Sequence, residues 1–286
     1  MRPLALLTDF GGADWYVAEM KGVLLAHAPG APLVDITHEI PPGEIARAAF
    51  VLGRAHEAFP AGTVFLVVVD PGVGTARHPL AVHAGGRFYV GPDNGVLEAA
   101  LDVPGAQARV IEDSELLERA SETFHGRDVF APVAARLSLR GEAAWRELGR
   151  ILAAPVRLGA LEALGADHAH AEGLARAAES GTLRTTVAHV DRFGNAILTL
   201  HELEFEAWLG THDPARVTFV AHGAHGARTT TITGLARTYG AAQRDTPIAL
   251  VGSSGLIELA VPGGHAGLVL ALAPGDTVEL RHEEAS

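Results

Sequence analysis

Val64-Phe65-Leu66-Val67-Val68-Val69-Asp70 is a run of six apolar residues that ends in an aspartate. A short run of this kind, rich in β-branched residues, is typical of a strand buried on both faces. Residues 4–7 form a similar run, and residues 33–37 form a further β-rich segment that contains Asp35. Apolar residues recur at roughly helical spacing in the intervening segments 14–28 and 44–59. The order of strand, helix and strand predicts an N-terminal α/β sandwich domain with a mostly parallel sheet.

The chain continues with shorter patterns that fit the same domain. Segments 81–83 and 87–90 favour strands, and segments 94–101 and 128–139 favour helices. Each of the first three strands ends in polar residues, namely Thr8-Asp9, Thr37-His38 and Asp70. Open α/β sheets bind ligands at the carboxyl ends of their strands, so the sequence predicts a ligand site there.

The amino-acid composition of the sequence changes after residue 140. An Ala-, Glu- and His-rich stretch without β-branched runs gives way to several β-rich segments separated by Gly, Asn and Asp turns. This spacing is typical of a small barrel or sandwich. We therefore expect an N-terminal α/β domain over residues 1–150, an Ala-rich linker or insertion over 151–180, and a smaller C-terminal β-barrel-like domain over 181–286.

Composition excludes several classes of protein. The chain has 22 basic and 34 acidic residues and a formal net charge of −12, which is the wrong sign for binding nucleic acid or an anionic membrane surface. It contains no cysteine, so disulfides, thiolate nucleophiles and Cys-type zinc sites are excluded. Its apolar runs are much shorter than the about 20 residues needed to span a bilayer, and no signal-peptide pattern is seen. We expect a cytoplasmic protein.

Six motifs occur in one order along the chain. They are Thr8-Asp9-Phe10-Gly11 with Asp14, Tyr16 and Lys21-Gly22; Asp70-Pro71-Gly72-Val73-Gly74; Gly91-Pro92-Asp93-Asn94-Gly95; Phe124-His125-Gly126-Arg127-Asp128; Asp191-Arg192-Phe193-Gly194-Asn195; and Ser253-Ser254-Gly255-Leu256-Ile257-Glu258. In these motifs the chain resembles the S-adenosyl-L-methionine (SAM) hydroxide adenosyltransferase family, the hydrolytic relatives of the fluorinase and chlorinase. The resemblance covers nearly the whole chain except residues 151–180. It implies a hydrolase that converts SAM and water into adenosine and L-methionine.

The resemblance places the catalytic groups at Asp70, Arg77 and His125. Attack at the ribose C5′ displaces a neutral thioether, so the difficult step is to obtain a hydroxide-like nucleophile from water, whose pKa is about 15.7. Our hypothesis is that Arg77 stabilises the developing hydroxide while His125 and Asp70 orient the water and accept or relay its proton. Where the fluorinase pattern has two tyrosines and a halide-binding serine, this chain has Asp70, His125 and Gly126, which suits water better than a halide.

The resemblance also implies a set of substrate-binding residues. They are Asp9 for the ribose hydroxyls, Asp191 for the methionine ammonium, Asn195 for the adenine edge, Phe193 for the purine ring, and Ser253 with Ser254 for the methionine carboxylate. Family members commonly carry Asn at the position of Gly252, and the halogenases carry Arg at that of Ser254. No cofactor and no metal are implied, because SAM is the substrate. The family pattern further implies a homotrimer with the site between subunits.

Each motif also has a purely structural interpretation. Asp9 and Asp70 could cap the turns that follow their strands. His125 and Arg77, taken singly, are more often a hydrogen-bonded histidine and an ion-pair arginine. The segment 191–195 could be only a hairpin turn.

Two other functions remain open at this stage. The 15 histidines and the strand-end carboxylates would suit a metal-dependent hydrolase, although His168, His170, His222 and His225 do not lie among those carboxylates and no HExxH spacing occurs. The second is a SAM sensor that binds without turnover.

Overall fold

A computed structural model describes residues 1–159, 177–178, 180–222 and 229–282. The chain divides into two compact units, Met1–Gly159 and Ala160–Ser286. The boundaries that the sequence suggests, at residues 150 and 181, stay a prediction. Most of the expected 151–180 linker or insertion lies outside the described residues.

The first unit is built on a six-stranded sheet. Its strands are β1 (Leu4–Thr8), β2 (Leu33–Thr37), β3 (Val64–Val68), β4 (Pro79–Ala84), β5 (Arg87–Pro92) and β6 (Gln107–Val110). Its helices are α1 (Tyr16–His27), α2 (Ile45–Ala55), α3 (Glu98–Leu101), α4 (Ser114–Arg119), α5 (Ala131–Arg140) and α6 (Glu142–Arg146), with a 3₁₀ turn at His56–Ala58 and a π-helical turn at Gly126–Phe130.

The strand order is β2-β1-β3-β5-β4-β6. Strands β2, β1, β3 and β5 run parallel, whereas β4 is antiparallel to both β5 and β6. The mostly parallel sheet is therefore confirmed for four strands, and the hairpin β4–β5 adds an antiparallel edge. Three parallel strands end near one another at Asp9, His38 and Asp70, because carboxyl ends of parallel strands share one edge of a sheet.

Alternating side chains of the central strands enter two separate cores. Leu4 and Leu6 of β1 pack with α1 and α5, while Ala5 and Leu7 pack with α2 on the other face. All four side chains are fully buried. Burial on both faces explains why these strands are continuous apolar runs instead of alternating ones. The sandwich that the sequence predicts is confirmed.

The second unit is mainly β. Its strands are β7 (Thr182–Val190), β8 (Ala196–His201), β9 (Val217–His222), β10 (Thr229–Thr233), β11 (Leu235–Ala236), β12 (Ile248–Val251), β13 (Leu256–Ala260) and β14 (Thr277–His282). Its described helices are α7 (Glu202–Leu209) and α8 (Ala266–Val269), with 3₁₀ turns at Pro214–Arg216 and Tyr239–Ala241.

These strands form one sheet in the order β10-β9-β14-β7-β8-β13-β12-β11. Strand β7 is long and bridges its two halves, pairing with β14 on one side and β8 on the other. The curled sheet encloses a core that includes Leu198, Phe219, Ile257 and Trp208. The barrel-like C-terminal part is thus confirmed. No helix among the described residues is long and apolar enough to cross a membrane.

Candidate active site

The loop after β3 positions Asp70 and Arg77. It folds into two successive turns, in which the amide of Val73 donates to the carbonyl of Asp70 (3.2 Å) and the amide of Thr75 donates to the carbonyl of Gly72 (3.2 Å). These turns reverse the chain and bring Arg77 back alongside the strand end. The motif at residues 70–74 therefore brings the side chains of Asp70 and Arg77, which are seven positions apart in the sequence, into contact.

Arg77 and Asp70 form a bidentate ion pair. The Arg77 Nε donates to Asp70 Oδ1 at 3.0 Å, and Nη2 contacts Oδ2. The two side chains are only 9% and 5% exposed, so water screens this pair little. The guanidinium carbon also lies 5.3 Å from the centre of the Phe130 ring. One edge of the guanidinium is thereby held by Asp70, and one of its faces lies towards Phe130.

His125 completes this cluster. Its Nδ1 lies 2.8 Å from Arg77 Nη2. Because a guanidinium can only donate, Nδ1 is the acceptor, and the proton of the neutral ring is on Nε2. Burial and the adjacent Arg77 charge lower the pKa of His125, with Asp70 and Asp128 acting in the opposite direction. The ring is thus neutral at physiological pH and presents Nε2–H as a donor.

A close backbone approach holds the His125 segment against the 70–77 loop. Gly74 has a positive φ of 75°, and a Cβ at this position would lie 2.6 Å from the carbonyl oxygen of Glu122. His125 itself directly precedes the π-helical turn Gly126–Phe130. Single π turns often occur at functional sites. A Cβ on Gly126 would be 3.2 Å from both Met20 Sδ and the Phe124 ring, so this glycine also permits close packing.

Arg127 and Asp128 support the turn from outside. Arg127 Nε donates to Asp128 Oδ1 at 2.6 Å, and its Nη1 donates to Glu19 Oε2 of α1 at 3.1 Å. Asp128 Oδ2 also accepts the amide of Ser121 at 2.9 Å. The pair therefore holds the two ends of the 121–128 segment, which carries His125, together.

Asp9 lines an open pocket of about 470 Å³ at the strand ends. The lining residues are Asp9, Phe10, Tyr16, Pro42, Gly43, Asp70 and Pro71. Asp9 Oδ2 accepts the amide of Gly43 at 2.8 Å. Burial raises the pKa of Asp9, the Gly43 amide opposes that effect, and the charge of Asp70 adds to it. Two carboxylates thus face one cavity whose volume suits a small molecule.

An aromatic wall closes one side of this pocket. The Phe10 ring lies 5.7 Å from both Tyr16 and Phe124, and the contact with Phe124 is edge-to-face. Phe124 directly precedes His125, so the wall connects the pocket to the catalytic candidates. The sequence motifs contain these aromatics, yet periodicity alone does not distinguish a pocket wall from core packing.

In the second unit, Asp191 and Asn195 close the turn between β7 and β8. Asp191 Oδ1 accepts the Asn195 amide at 2.8 Å, and Oδ2 accepts the Asn195 side-chain Nδ2 at 3.1 Å. Phe193 at the tip of this turn is 80% exposed. An exposed phenyl ring is available for stacking. The backbone carbonyl of Asn195 accepts the Asp191 amide at 3.0 Å, whereas its side-chain Oδ1 has no hydrogen-bond partner among the described residues. Residues 191–195 therefore form the hairpin turn of the structural interpretation, and the same turn offers exposed groups that could bind a ligand.

Ser253 and Ser254 lie in a tight turn between β12 and β13. The Gly252 amide donates to the Leu256 carbonyl at 2.8 Å, and the Gly255 amide donates to the Gly252 carbonyl at 3.0 Å. Ser253 is exposed, whereas Ser254 Oγ is buried and has no hydrogen-bond partner among the described residues. A buried hydroxyl without a partner is costly, so this oxygen is suited to a ligand.

Sequence reasoning missed some residues around these positions. Pro42 and Gly43 line the pocket, and the signal that could have found them is the Pro41-Pro42-Gly43 turn after β2. Tyr239, which bonds Glu258 near the serine turn, carries no motif of its own.

No group of three or more His, Asp or Glu side chains placed to hold a metal ion occurs within the described residues. Of the histidines weighed for a metal site, His222 is described, whereas His168, His170 and His225 lie outside the described residues. The described strand-end carboxylates Asp9 and Asp70 are bonded by Gly43 and Arg77 instead.

Comparison with known proteins gives consistent matches. Residues 4–148 match the SAM hydroxide adenosyltransferase N-terminal domain, and residues 185–279 match the C-terminal domain of the same family. The (R)-S-adenosyl-L-methionine hydrolase of Thermus thermophilus is 41% identical, with 98% of this chain and 100% of that protein covered. A crystal structure of an uncharacterised conserved protein from Thermotoga maritima has a TM-score of 0.81 at 33% identity, covering 98% of this chain and 100% of that one.

A more distant relative is the fluorinase of an Actinoplanes species. It is 26% identical, and the match covers 47% of this chain and 54% of that protein. The similarity to hydrolases is therefore both higher and longer than the similarity to this halogenating enzyme.

Proposed function

The chain belongs to the SAM hydroxide adenosyltransferase family and hydrolyses SAM to adenosine and L-methionine, and we propose that Asp70, Arg77 and His125 perform this reaction. The observation that carries the proposal is the Arg77 guanidinium, which binds Asp70 and His125 and keeps one buried nitrogen, Nη1, without a partner among the described residues.

The reaction is a displacement at carbon. The oxygen of water forms a bond to the ribose C5′, the bond between C5′ and sulfur breaks, and sulfur keeps the electron pair as a neutral thioether. The water keeps one hydrogen as part of the 5′-hydroxyl and releases the other as a proton. Because hydroxide and sulfonium charges cancel in the transition state, a site with little water favours the reaction.

Arg77 supplies positive charge where hydroxide develops. Asp70 and Phe130 fix the orientation of the guanidinium, so little reorganisation is needed during the reaction. The free Nη1–H and the Nε2–H of His125 are two donors that would hold an anionic oxygen. Of the three groups, only the Asp70 carboxylate is negatively charged, and we assign it the proton of the attacking water.

Substrate binding extends over residues in both units. We assign the ribose diol to Asp9, the methionine ammonium to Asp191, the adenine edge and ring to Asn195 and Phe193, and the methionine carboxylate to Ser253 and Ser254. The unpartnered Ser254 hydroxyl and the exposed Phe193 ring support two of these assignments. No cofactor takes part in this mechanism.

The proposal includes a homotrimer in which neighbouring chains complete each site. This part rests on the family resemblance and on the division of the assigned residues between the two units. It also includes a cytoplasmic location without nucleic acid as a partner, which fractionation of cells expressing the full chain would test.

The decisive experiment is turnover of SAM by the chelator-treated protein in ¹⁸O-labelled water, followed by mass spectrometry. We expect the label in the 5′-hydroxyl of adenosine and none in methionine. Label in homoserine, with methylthioadenosine released, would mean attack on the methionine chain and would refute the proposed mechanism. Substrate recovered unchanged would favour a sensor, and activity that returns only with added metal would favour a metal-dependent hydrolase.

A further inference from the structure

Glu258 is a carboxylate buried in the second unit without a cation. It lies on β13 between Ile257 and Leu259, whose side chains enter the main core of that unit, and it is only 5% exposed. Buried carboxylates are normally paired with a positive charge. Among the described residues no Arg, Lys or His forms an ion pair with Glu258.

The carboxylate is held at one oxygen and open at the other. Glu258 Oε2 accepts the Tyr239 hydroxyl at 2.6 Å. No described residue bonds Oε1, which lies against Gly252, where a Cβ would stand 1.8 Å from it. Gly252 therefore leaves the space that Oε1 fills, directly beside the turn that carries Ser253 and Ser254.

Asp191 lies close to this carboxylate. Asn195, which binds Asp191, is followed by Ala196, and Ala196 pairs with Leu259 on the neighbouring strand. Burial raises the pKa of Glu258, and the negative charge of Asp191 adds to that effect. Two carboxylates thus share one region of the second unit and leave its negative charge without a described counter-ion.

We propose that Glu258 is a second carboxylate of the ammonium subsite and that it selects, together with Asp191, substrates that carry a free α-amino group. This inference rests on the proposed function. The ammonium of the substrate supplies the cation that Glu258 lacks, and the open Oε1 accepts one of its N–H groups. Tyr239 holds the other oxygen and so fixes the direction of the carboxylate.

A comparison with Glu279 shows that the lack of an ion-pair partner sets Glu258 apart. Glu279 on β14 is also nearly buried, at 6% exposure, but it accepts Arg184 Nε at 3.0 Å and Arg281 Nε at 2.6 Å. Its charge is balanced within the protein. Glu279→Gln is therefore the matched control for Glu258→Gln.

The test compares SAM with its deaminated analogue, which keeps the carboxylate and the sulfonium. For Glu258→Gln we expect kcat/KM and the calorimetric affinity for SAM to fall about tenfold or more, the size of a hydrogen bond to a charged group, with little change for the analogue. Glu279→Gln should change neither substrate. In Gly252→Ala the added methyl group displaces the Glu258 carboxylate without removing its charge. This variant should lose the same preference for SAM over the deaminated analogue.

Equal losses for both substrates would mean that Glu258 only supports the serine turn and would overturn the inference. An unchanged preference for SAM in Glu258→Gln or Gly252→Ala would overturn it as well. Failure of the proposed function would be seen separately, as wild-type protein that binds SAM without turning it over, and the binding ratios would still decide the role of Glu258.

Discussion

At the scale of single residues, Arg77 explains why the cluster needs an arginine. A guanidinium offers five N–H donors in a rigid plane, so it can bind both oxygens of Asp70, donate to His125 and keep a further nitrogen free. A lysine could not make this set of bonds in fixed directions. Burial and the adjacent Arg77 charge together lower the pKa of His125 and keep its ring neutral.

The two strand-end aspartates give a matched pair of variants. Asp70→Asn removes the charge that orients Arg77, and we expect kcat to fall about a hundredfold or more with KM changed only a few-fold. Asp9→Asn, in the same pocket, should instead raise KM and change kcat less, because Asp9 is assigned to the ribose diol. Steady-state kinetics of both variants check this, and similar losses in kcat and KM for both would contradict the assigned roles.

His125 gives a prediction for pH dependence. Its pKa is lowered, so the ring stays neutral as pH falls below the ordinary histidine value of 6.5 and gains a proton only in more acidic solution. The protonated ring cannot accept from Arg77 and places a second positive charge beside it, so kcat/KM should decrease as pH falls through this lowered pKa.

The measurement is a profile of kcat/KM against pH for wild type and for His125→Asn. The acidic decrease of the wild type should lie below pH 6.5 and should disappear or shift in the variant, whose amide does not titrate. A wild-type decrease centred above 6.5, or the same decrease in both proteins, would exclude His125 as the titrating group.

Part of this site could be predicted from the sequence, and part could not. The types and order of Asp70, Arg77 and His125 were available from the motifs, but a sequence separation of 48 positions between Arg77 and His125 says nothing about their distance in space. Contact depends on a long-range approach between two loops. Glu258 was part of a quoted motif, yet its importance lies in a missing cation, which only tertiary structure reveals.

At the scale of elements, the 70–77 and 121–130 segments must meet for the cluster to form. They pack tightly at Gly74, where a Cβ would lie 2.6 Å from the Glu122 carbonyl oxygen. We predict that Gly74→Ala separates the segments and lowers kcat about tenfold to a hundredfold, because small displacements of catalytic groups cost this much.

Gly105→Ala is the matched control for this prediction. Gly105 also has a positive φ, 79°, but nothing lies within 4 Å of its Cβ position. Both variants should lose about 1 to 2 kcal/mol of unfolding free energy from backbone strain, whereas only Gly74→Ala should lose kcat. Thermal unfolding and kinetics of both proteins would separate strain from displacement, and equal kcat values would contradict the role of Gly74.

Some secondary-structure elements could be predicted from the sequence, and others could not. Residues 64–69 were predictable because burial on both faces makes a continuous apolar run, and β3 spans Val64–Val68. Strand β14, Thr277–His282, was not named in advance, although Val278 and Leu280 alternate with polar residues at the period typical of a strand. Helix α7 was missed because its capping residue is His201, which with Glu204 forms a capping box that the usual Ser, Thr, Asp and Asn rule does not find.

The π-helical turn at Gly126–Phe130 was also not predicted. The sequence favoured a helix from about residue 128 to 139, and the α-helix itself spans Ala131–Arg140. Periodicity cannot show a widened turn, because that turn depends on how Gly126 packs against Met20 and Phe124.

At the scale of the whole molecule, the assigned residues are divided between two units that have separate cores. The catalytic candidates and Asp9 belong to the first unit, and the assigned adenine and methionine contacts belong to the second. Neither unit holds the full set. The proposed trimer therefore has a direct functional consequence, since a site completed by neighbouring chains can be restored by mixing two different inactive variants.

Asp70→Ala and Asp191→Ala provide these variants. Each variant alone should have little activity, because every site would lack either the proposed catalytic carboxylate or the proposed ammonium contact. After the two are unfolded and refolded together, random assembly should return about a quarter of wild-type activity, because each site draws its two halves from two chains. Recovery that needs co-refolding, with a trimeric mass by light scattering, supports shared sites. If every site were formed within one chain, no mixture could recover activity, because each chain would still carry its own defect.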